Sequence, residues 1–129
     1  HWVVRRARAA GRCEYCRFPQ EAAELSFHLD HIIAEQHRGV TETSNLAWAC
    51  FSCNLHKGPN IAGFDPTSGE LTRLFHPRRD GWNEHFAWDG VTLRGKTAVG
   101  RTTVVVLAIN HPDSVAVREA LRDEGIFQL

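Results

Sequence analysis

Apolar positions along the chain recur in short runs. Residues 25–33 set β-branched and aromatic side chains around a polar pair and predict a strand. Residues 36–44, with Gly39 and several polar side chains, read as a loop. Residues 46–49 predict a second short strand, and 52–57 a short helix that Gly58-Pro59 ends. Ahead of these, residues 1–10 are rich in Arg, Ala and Val and read as a helix with Gly11 as its stop. After them, residues 65–69 carry turn chemistry and 71–75 predict a strand. Residues 82–88 and 91–94 flank Asp89-Gly90, a hairpin signal. Within 97–109 the Thr-Thr-Val-Val-Val run favours a strand by propensity, whereas Thr97 as a cap and the length of the segment favour a helix, which is the reading adopted. Pro112 suits the first turn of a last helix ending near Gly125.

The pattern is α+β. With 129 residues and no internal repeat, the chain fits one domain, 1–129, with a core at about 12–60 and an extension over about 61–129 that holds a hairpin and one or two helices. Apolar residues at 43% and charged residues at 23% are ordinary values for a globular protein, and no apolar stretch is long enough to span a bilayer. A formal net charge of zero does not single out nucleic acid as a partner. The distribution is more suggestive: Arg5, Arg6, Arg8, Arg12 and Arg17 cluster early, and Arg78 and Arg79 adjoin later. Eight histidines hint at metal or acid–base chemistry. No signal peptide is read at the start, although the chain begins at His1. A reducing, cytoplasmic setting is expected, in which paired cysteines favour metal over disulfide.

All four cysteines fall in two pairs, Cys13-x-x-Cys16 and Cys50-x-x-Cys53. Two such knuckles with no spare thiol predict one structural zinc ion. Two disulfides, an iron site or plain buried thiols are the alternatives. The 33 residues between the pairs exceed the gap of a simple zinc ribbon and imply a substantial insertion.

That insertion holds Phe27-His28-Leu29-Asp30-His31-Ile32-Ile33 and Asn45-Leu46, and the second knuckle continues as Cys53-Asn54-Leu55-His56-Lys57-Gly58. In these motifs the sequence resembles the HNH endonuclease family, in the variant whose third signature residue is Asn. The resemblance covers roughly residues 12–60. More weakly, Gly63-Phe64-Asp65-Pro66 and Phe75-His76-Pro77-Arg78-Arg79-Asp80 look like stretches of small standalone bacterial HNH proteins.

The resemblance implies a ββα-metal, treble-clef-like core. It implies Asp30 and Asn54 as ligands of a catalytic divalent ion, His31 as general base, Asn45 as the residue that orients His31 through the loop, and Lys57 as a basic residue close to the phosphate. His37 and Arg38 are further candidates for phosphate contact. The implied reaction is hydrolysis of DNA phosphodiester bonds, leaving 5′-phosphate and 3′-hydroxyl ends. A carboxylate with an amide oxygen is a hard ligand set, which suits Mg²⁺ or Mn²⁺ rather than zinc. Each residue has a plainer reading: Asp30 and His31 as ordinary strand side chains, Asn45 as a turn residue, Asn54 as a polar residue at a helix start. His28 is read as a support for the metal or as structural, and His56 as surface or DNA-facing. Trp48, Phe51, Trp82 and Trp88 are expected in the core. The alternative function is a non-catalytic zinc module that binds nucleic acid or protein.

Overall fold

The computed structural model describes residues 9–127. The helix expected over 1–10 lies outside that range except at its end, as do Arg5, Arg6 and Arg8.

The described chain opens with a tight turn. Arg12 and Pro19 form an isolated antiparallel bridge, and the Cys13 N–H donates to the Phe18 carbonyl at 2.9 Å. Arg17, at φ 68°, supplies the left-handed residue that reverses the chain. Strand β1 (His28–His31) then pairs antiparallel with β2 (Leu46–Ala49), setting Asp30 opposite Ala47 and His31 opposite Leu46. Helix α1 (Phe51–Lys57) follows directly, with Cys50 as its cap: the Sγ accepts from the Cys53 N–H. Strands β3 (Ala62–Phe64) and β4 (Leu71–Arg73) form a second hairpin. Helix α2 (Trp82–His85) leads into a third, β5 (Phe86–Asp89) with β6 (Thr92–Gly95). Helices α3 (Ala98–Val106) and α4 (Pro112–Asp123) complete an α+β arrangement of helices and small antiparallel strand pairs around a four-cysteine cluster.

Several expectations shift in extent. The strand expected over 25–33 is paired only at His28–His31, because β2 offers four partners and no more. The strand over 71–75 likewise stops at Arg73, where three-residue β3 runs out. Residues 82–85 are helical rather than extended: tertiary contact overrides propensity as the Trp82 indole N–H reaches the Tyr15 carbonyl at 2.8 Å. The hairpin loop is Gly90-Val91, one residue later than the Asp89-Gly90 signal, with Gly90 at φ 62°. In the ambiguous 97–109 stretch the cap prevails: the Thr97 hydroxyl accepts from the Gly100 N–H at 3.0 Å, and the helix runs to Val106.

One contiguous core runs through the described residues, from Ala9 through Tyr15, Trp48, Phe75, Phe86 and Leu93 to Ile109. Trp48 is buried, and Trp82 and Trp88 pack against the core. Phe51 does not join it. As the first residue of α1 it is 40% exposed, because the helix turns its Cys53 and Lys57 face inward.

The β3–β4 loop is tied to α3 by a fork. Asp65, 1% exposed, takes Arg101 Nε at 3.0 Å and Nη2 at 2.9 Å, and also accepts from the Thr67 N–H and the Ser68 hydroxyl. The Arg101 hydrogen bonds hold its carboxyl well below the usual carboxylate range. A depressed folded-state pKa means that the stability is present above the unfolded value, about pH 4, and is lost as the pH falls below it. Arg101→Met should therefore lower Tm at neutral pH and flatten the fall of Tm between about pH 5 and pH 3. Melting curves that stay as steep as those of the parent protein would locate the acid sensitivity elsewhere.

Candidate functional site

The two cysteine pairs converge. All four Sγ atoms lie within 4.8 Å of one another, and Cys16 Sγ is 3.7 Å from Cys50 Sγ. A tetrahedral zinc with Zn–S bonds of about 2.3 Å requires sulfurs about 3.8 Å apart, so the cluster has the dimensions of a four-thiolate site. None of the four is in a disulfide, and all are buried. Backbone N–H groups point at the sulfurs: Tyr15 and Cys16 to Cys13 Sγ at 3.4 and 3.5 Å, and Cys53 to Cys50 Sγ at 3.4 Å. Burial opposes ionisation of Cys13, yet hydrogen bonds with Cys16, Cys50 and Cys53 outweigh it and hold that thiol well below its usual range.

The first knuckle is gripped from the extension. Trp82 holds the Tyr15 carbonyl, Phe75 meets the Tyr15 ring edge-on at 6.5 Å, and Arg78 pairs with Glu14, whose Oε2 accepts the Trp48 N–H at 2.7 Å. The Arg17 guanidinium lies over the Trp82 ring at 4.8 Å.

A second site lies beside β1. Asp30, His31 and Asn54 line one pocket of about 330 Å³, bordered by Glu35, Gln36 and the Gly58-Pro59 turn. Asp30, 6% exposed, points inward. Its Oδ2 accepts from the Tyr15 hydroxyl at 3.0 Å and lies 3.2 Å from Lys57 Nζ. Burial raises the Asp30 pKa above the ordinary carboxylate value, and the pull of Lys57 and Tyr15 only partly offsets it. Burial also raises the Tyr15 phenol well above its usual value, and the neighbouring Asp30 charge adds to this. His31, on the opposite face of the strand, is half-buried; its Nε2 is 2.9 Å from Thr41 Oγ1 and 3.8 Å from Glu35 Oε1.

Lys57, expected beside a phosphate, is 1% exposed, and its ammonium bonds to Asp30 and to the His31 carbonyl at 3.1 Å. It faces the interior because, as the last residue of α1, it is directed back at β1. His37 and Arg38 are exposed on the loop between the strands, Arg38 at φ 67°. His28 is also exposed, its ring 6.1 Å from that of Phe51, although it shares a strand face with Asp30. His56 bonds back to the Ser52 carbonyl on the outer side of α1.

Asn45 is buried and does not line the pocket. Its Oδ1 accepts from the Ile33 N–H at 2.9 Å, its Nδ2 donates to the Ile33 and Val40 carbonyls at 2.9 and 2.8 Å, and its own carbonyl accepts from the Ile32 N–H. One amide therefore closes the loop immediately after His31. Gly39 lets the loop pack down onto it: a Cβ there would strike the Ile33 carbonyl and sit 2.9 Å from Asn45 Nδ2. Tyr15, Thr41 and the inward turn of Lys57 escape sequence reasoning, since all three depend on contacts across 10 or more residues.

Asp30 brings a carboxylate and Asn54 an amide side chain to the lining of one pocket; oxygen donors of this kind are the type that a hard divalent ion takes. Residues 13–60 match the family model described as HNH endonuclease, a segment that is under half of the 129-residue chain and contains both sites. No curated protein and no solved structure matches. Residues 13–60 are thus similar to the HNH endonuclease family, and the same segment places four cysteines for a metal ion. Among the described residues no helix is long and apolar enough to cross a membrane.

Two outcomes follow. Purified protein should contain one zinc per chain, and Cys50→Ala should lose both zinc and the folded state, since such sites contribute roughly 10–16 kcal/mol of apparent binding energy; metal analysis with circular dichroism decides, and a zinc-free but folded variant would refute a structural role. Lys57→Met should cost about 3–5 kcal/mol in urea unfolding at pH 7, because Asp30 is left buried and uncompensated. Since the Asp30 pKa is raised, that loss should shrink as acid protonates the carboxyl; a loss independent of pH would mean that the lysine acts through packing alone.

Proposed function

We propose that this protein is a metal-dependent DNA endonuclease of one domain, with a ββα-metal core made by β1, β2 and α1, stapled by structural zinc and braced by the 61–129 extension. The observation that carries the reading is the single pocket lined by Asp30, His31 and Asn54, inside the segment that matches the HNH family. A binding module has no need of that combination.

His31 is the general base. The imidazole at the pocket wall takes a proton from water as the water oxygen attacks phosphorus; the P–O3′ bond breaks, leaving a 5′-phosphate, and the departing 3′ oxygen takes a proton from solvent water to become a 3′-hydroxyl. The Thr41 hydroxyl, 2.9 Å from Nε2, fixes the ring, and the main chain behind His31 is held by Lys57 and by the Asn45 clasp on Ile33. Asn45 is in this sense a positioning residue. A Mg²⁺ or Mn²⁺ ion held by Asp30 and Asn54 would supply positive charge against the phosphoryl oxygens and the departing 3′ oxygen. His37 and Arg38, exposed on the loop that borders the pocket, are the phosphate contacts. Lys57 acts from inside as the counter-ion of Asp30. Four thiols kept for a metal suit a reducing interior, the bacterial cytoplasm.

His31→Ala should lower plasmid nicking by about 10²–10⁴-fold while DNA binding in a gel-shift assay persists. Mild chelation should stop nicking of the parent protein with its zinc and Tm intact, and added Mg²⁺ or Mn²⁺ should restore it. Nicking by His31→Ala at the parent rate, or joint loss of activity and fold at every chelator level, would overturn the assignment.

A further inference from the structure

Among the described residues, one oxygen of the Asp30 carboxylate is engaged by side chains. Oδ2 takes both the Tyr15 hydroxyl, at 3.0 Å, and the Lys57 ammonium, at 3.2 Å. Oδ1 takes no hydrogen bond among the described residues, yet it is not among the buried atoms left without a partner, so it keeps access to the pocket that Asp30 lines. A carboxylate held through one oxygen has its other oxygen aimed.

Tyr15 is fixed from several sides. The residue is 0% exposed and stands between Cys13 and Cys16. Its N–H bonds to Cys13 Sγ at 3.4 Å, its carbonyl accepts from Trp82 at 2.8 Å, and Phe75 packs on its ring at 6.5 Å. A phenol on a rigid ring gives a directional bond, whereas Lys57 brings a point charge on a flexible stem. One side chain therefore spans from the thiol cluster to the pocket carboxylate.

We propose that Tyr15 is a positioning residue for the catalytic ion: by holding Asp30 Oδ2 from within the zinc knuckle, it presents Oδ1 to the divalent metal. The inference rests on the endonuclease reading and adds to it a physical link from the structural cluster to the reacting one. Hydrogen bonds to metal-ligating carboxylates set ligand orientation, and their loss typically costs about 10–100-fold in metal affinity.

The test is Tyr15→Phe in the full chain with its zinc, which keeps the packed ring and removes the hydroxyl. Mn²⁺ binding, followed by electron paramagnetic resonance of the free ion, should weaken by about tenfold or more. The metal-activation midpoint for nicking should rise by the same factor, with the rate recovered at saturating Mn²⁺ and with zinc content unchanged. A purely structural role would move Tm and zinc but not Mn²⁺ affinity. Tyr15 is the only tyrosine, so 3-fluorotyrosine incorporated biosynthetically labels this position alone and retains the hydroxyl, which keeps the question answerable if Tyr15→Phe does not fold. Its ¹⁹F resonance should move as Mg²⁺ is added and stay still in Asp30→Asn. Unchanged Mn²⁺ affinity in a folded Tyr15→Phe, or a label blind to Mg²⁺ that activates cleavage, overturns the proposal while the endonuclease reading stands. If the parent protein neither binds Mn²⁺ nor cuts DNA, the reading itself fails and takes the proposal with it.

Discussion

The convergence of four thiols is the constraint on which the rest of this structure depends. Residues 13–16 and 50–53 are separated by 33 positions of chain and have little reason of their own to meet. Their sulfurs bring them within 4.8 Å, and this closes a long loop at its base. Everything within that loop is then fixed in relation to its ends. Cys50 simultaneously caps α1, so the second knuckle also sets where the helix begins and where Asn54 and Lys57 fall along it.

At the second site the governing balance is between burial and charge. Asp30 lies in the interior, where a carboxylate is costly, and the protein compensates it with an ammonium and a phenol on one oxygen. Even so, its proton affinity stays above the ordinary value. His31 is treated differently. Its main chain is pinned from behind by Lys57 and Asn45, while its ring remains at the surface.

Much of this is legible in the sequence where the signal is local. The cysteine spacing, the strand at Leu46–Ala49, the short helix stopped by Gly58, the Thr97 cap and the helix begun by Pro112 all follow from residues within a turn or two of one another. Asp30, His31 and Asn54 are legible as a set through their motif order, and they do line one pocket. What escapes is long-range. Nothing local says that Trp82 starts a helical turn, because the cause is a hydrogen bond to Tyr15, 67 positions earlier. Lys57 reads as a surface cation by type, and only the direction of α1 reveals that it faces a carboxylate 3.2 Å away. The Arg78–Glu14 pair, likewise, joins two segments that each read as merely polar.

That last contact separates two boundaries that are easily taken as one. The family match ends at residue 60, but the first knuckle is closed by Phe75, Arg78 and Trp82. A fragment cut where the match ends would bare the Tyr15 ring and strand the Glu14 carboxylate, which is only 7% exposed in the whole chain. The transplantable unit is therefore longer than the recognisable one. Anyone grafting the matched segment onto another scaffold must carry the region through Trp82, or redesign the face of the knuckle that it covers.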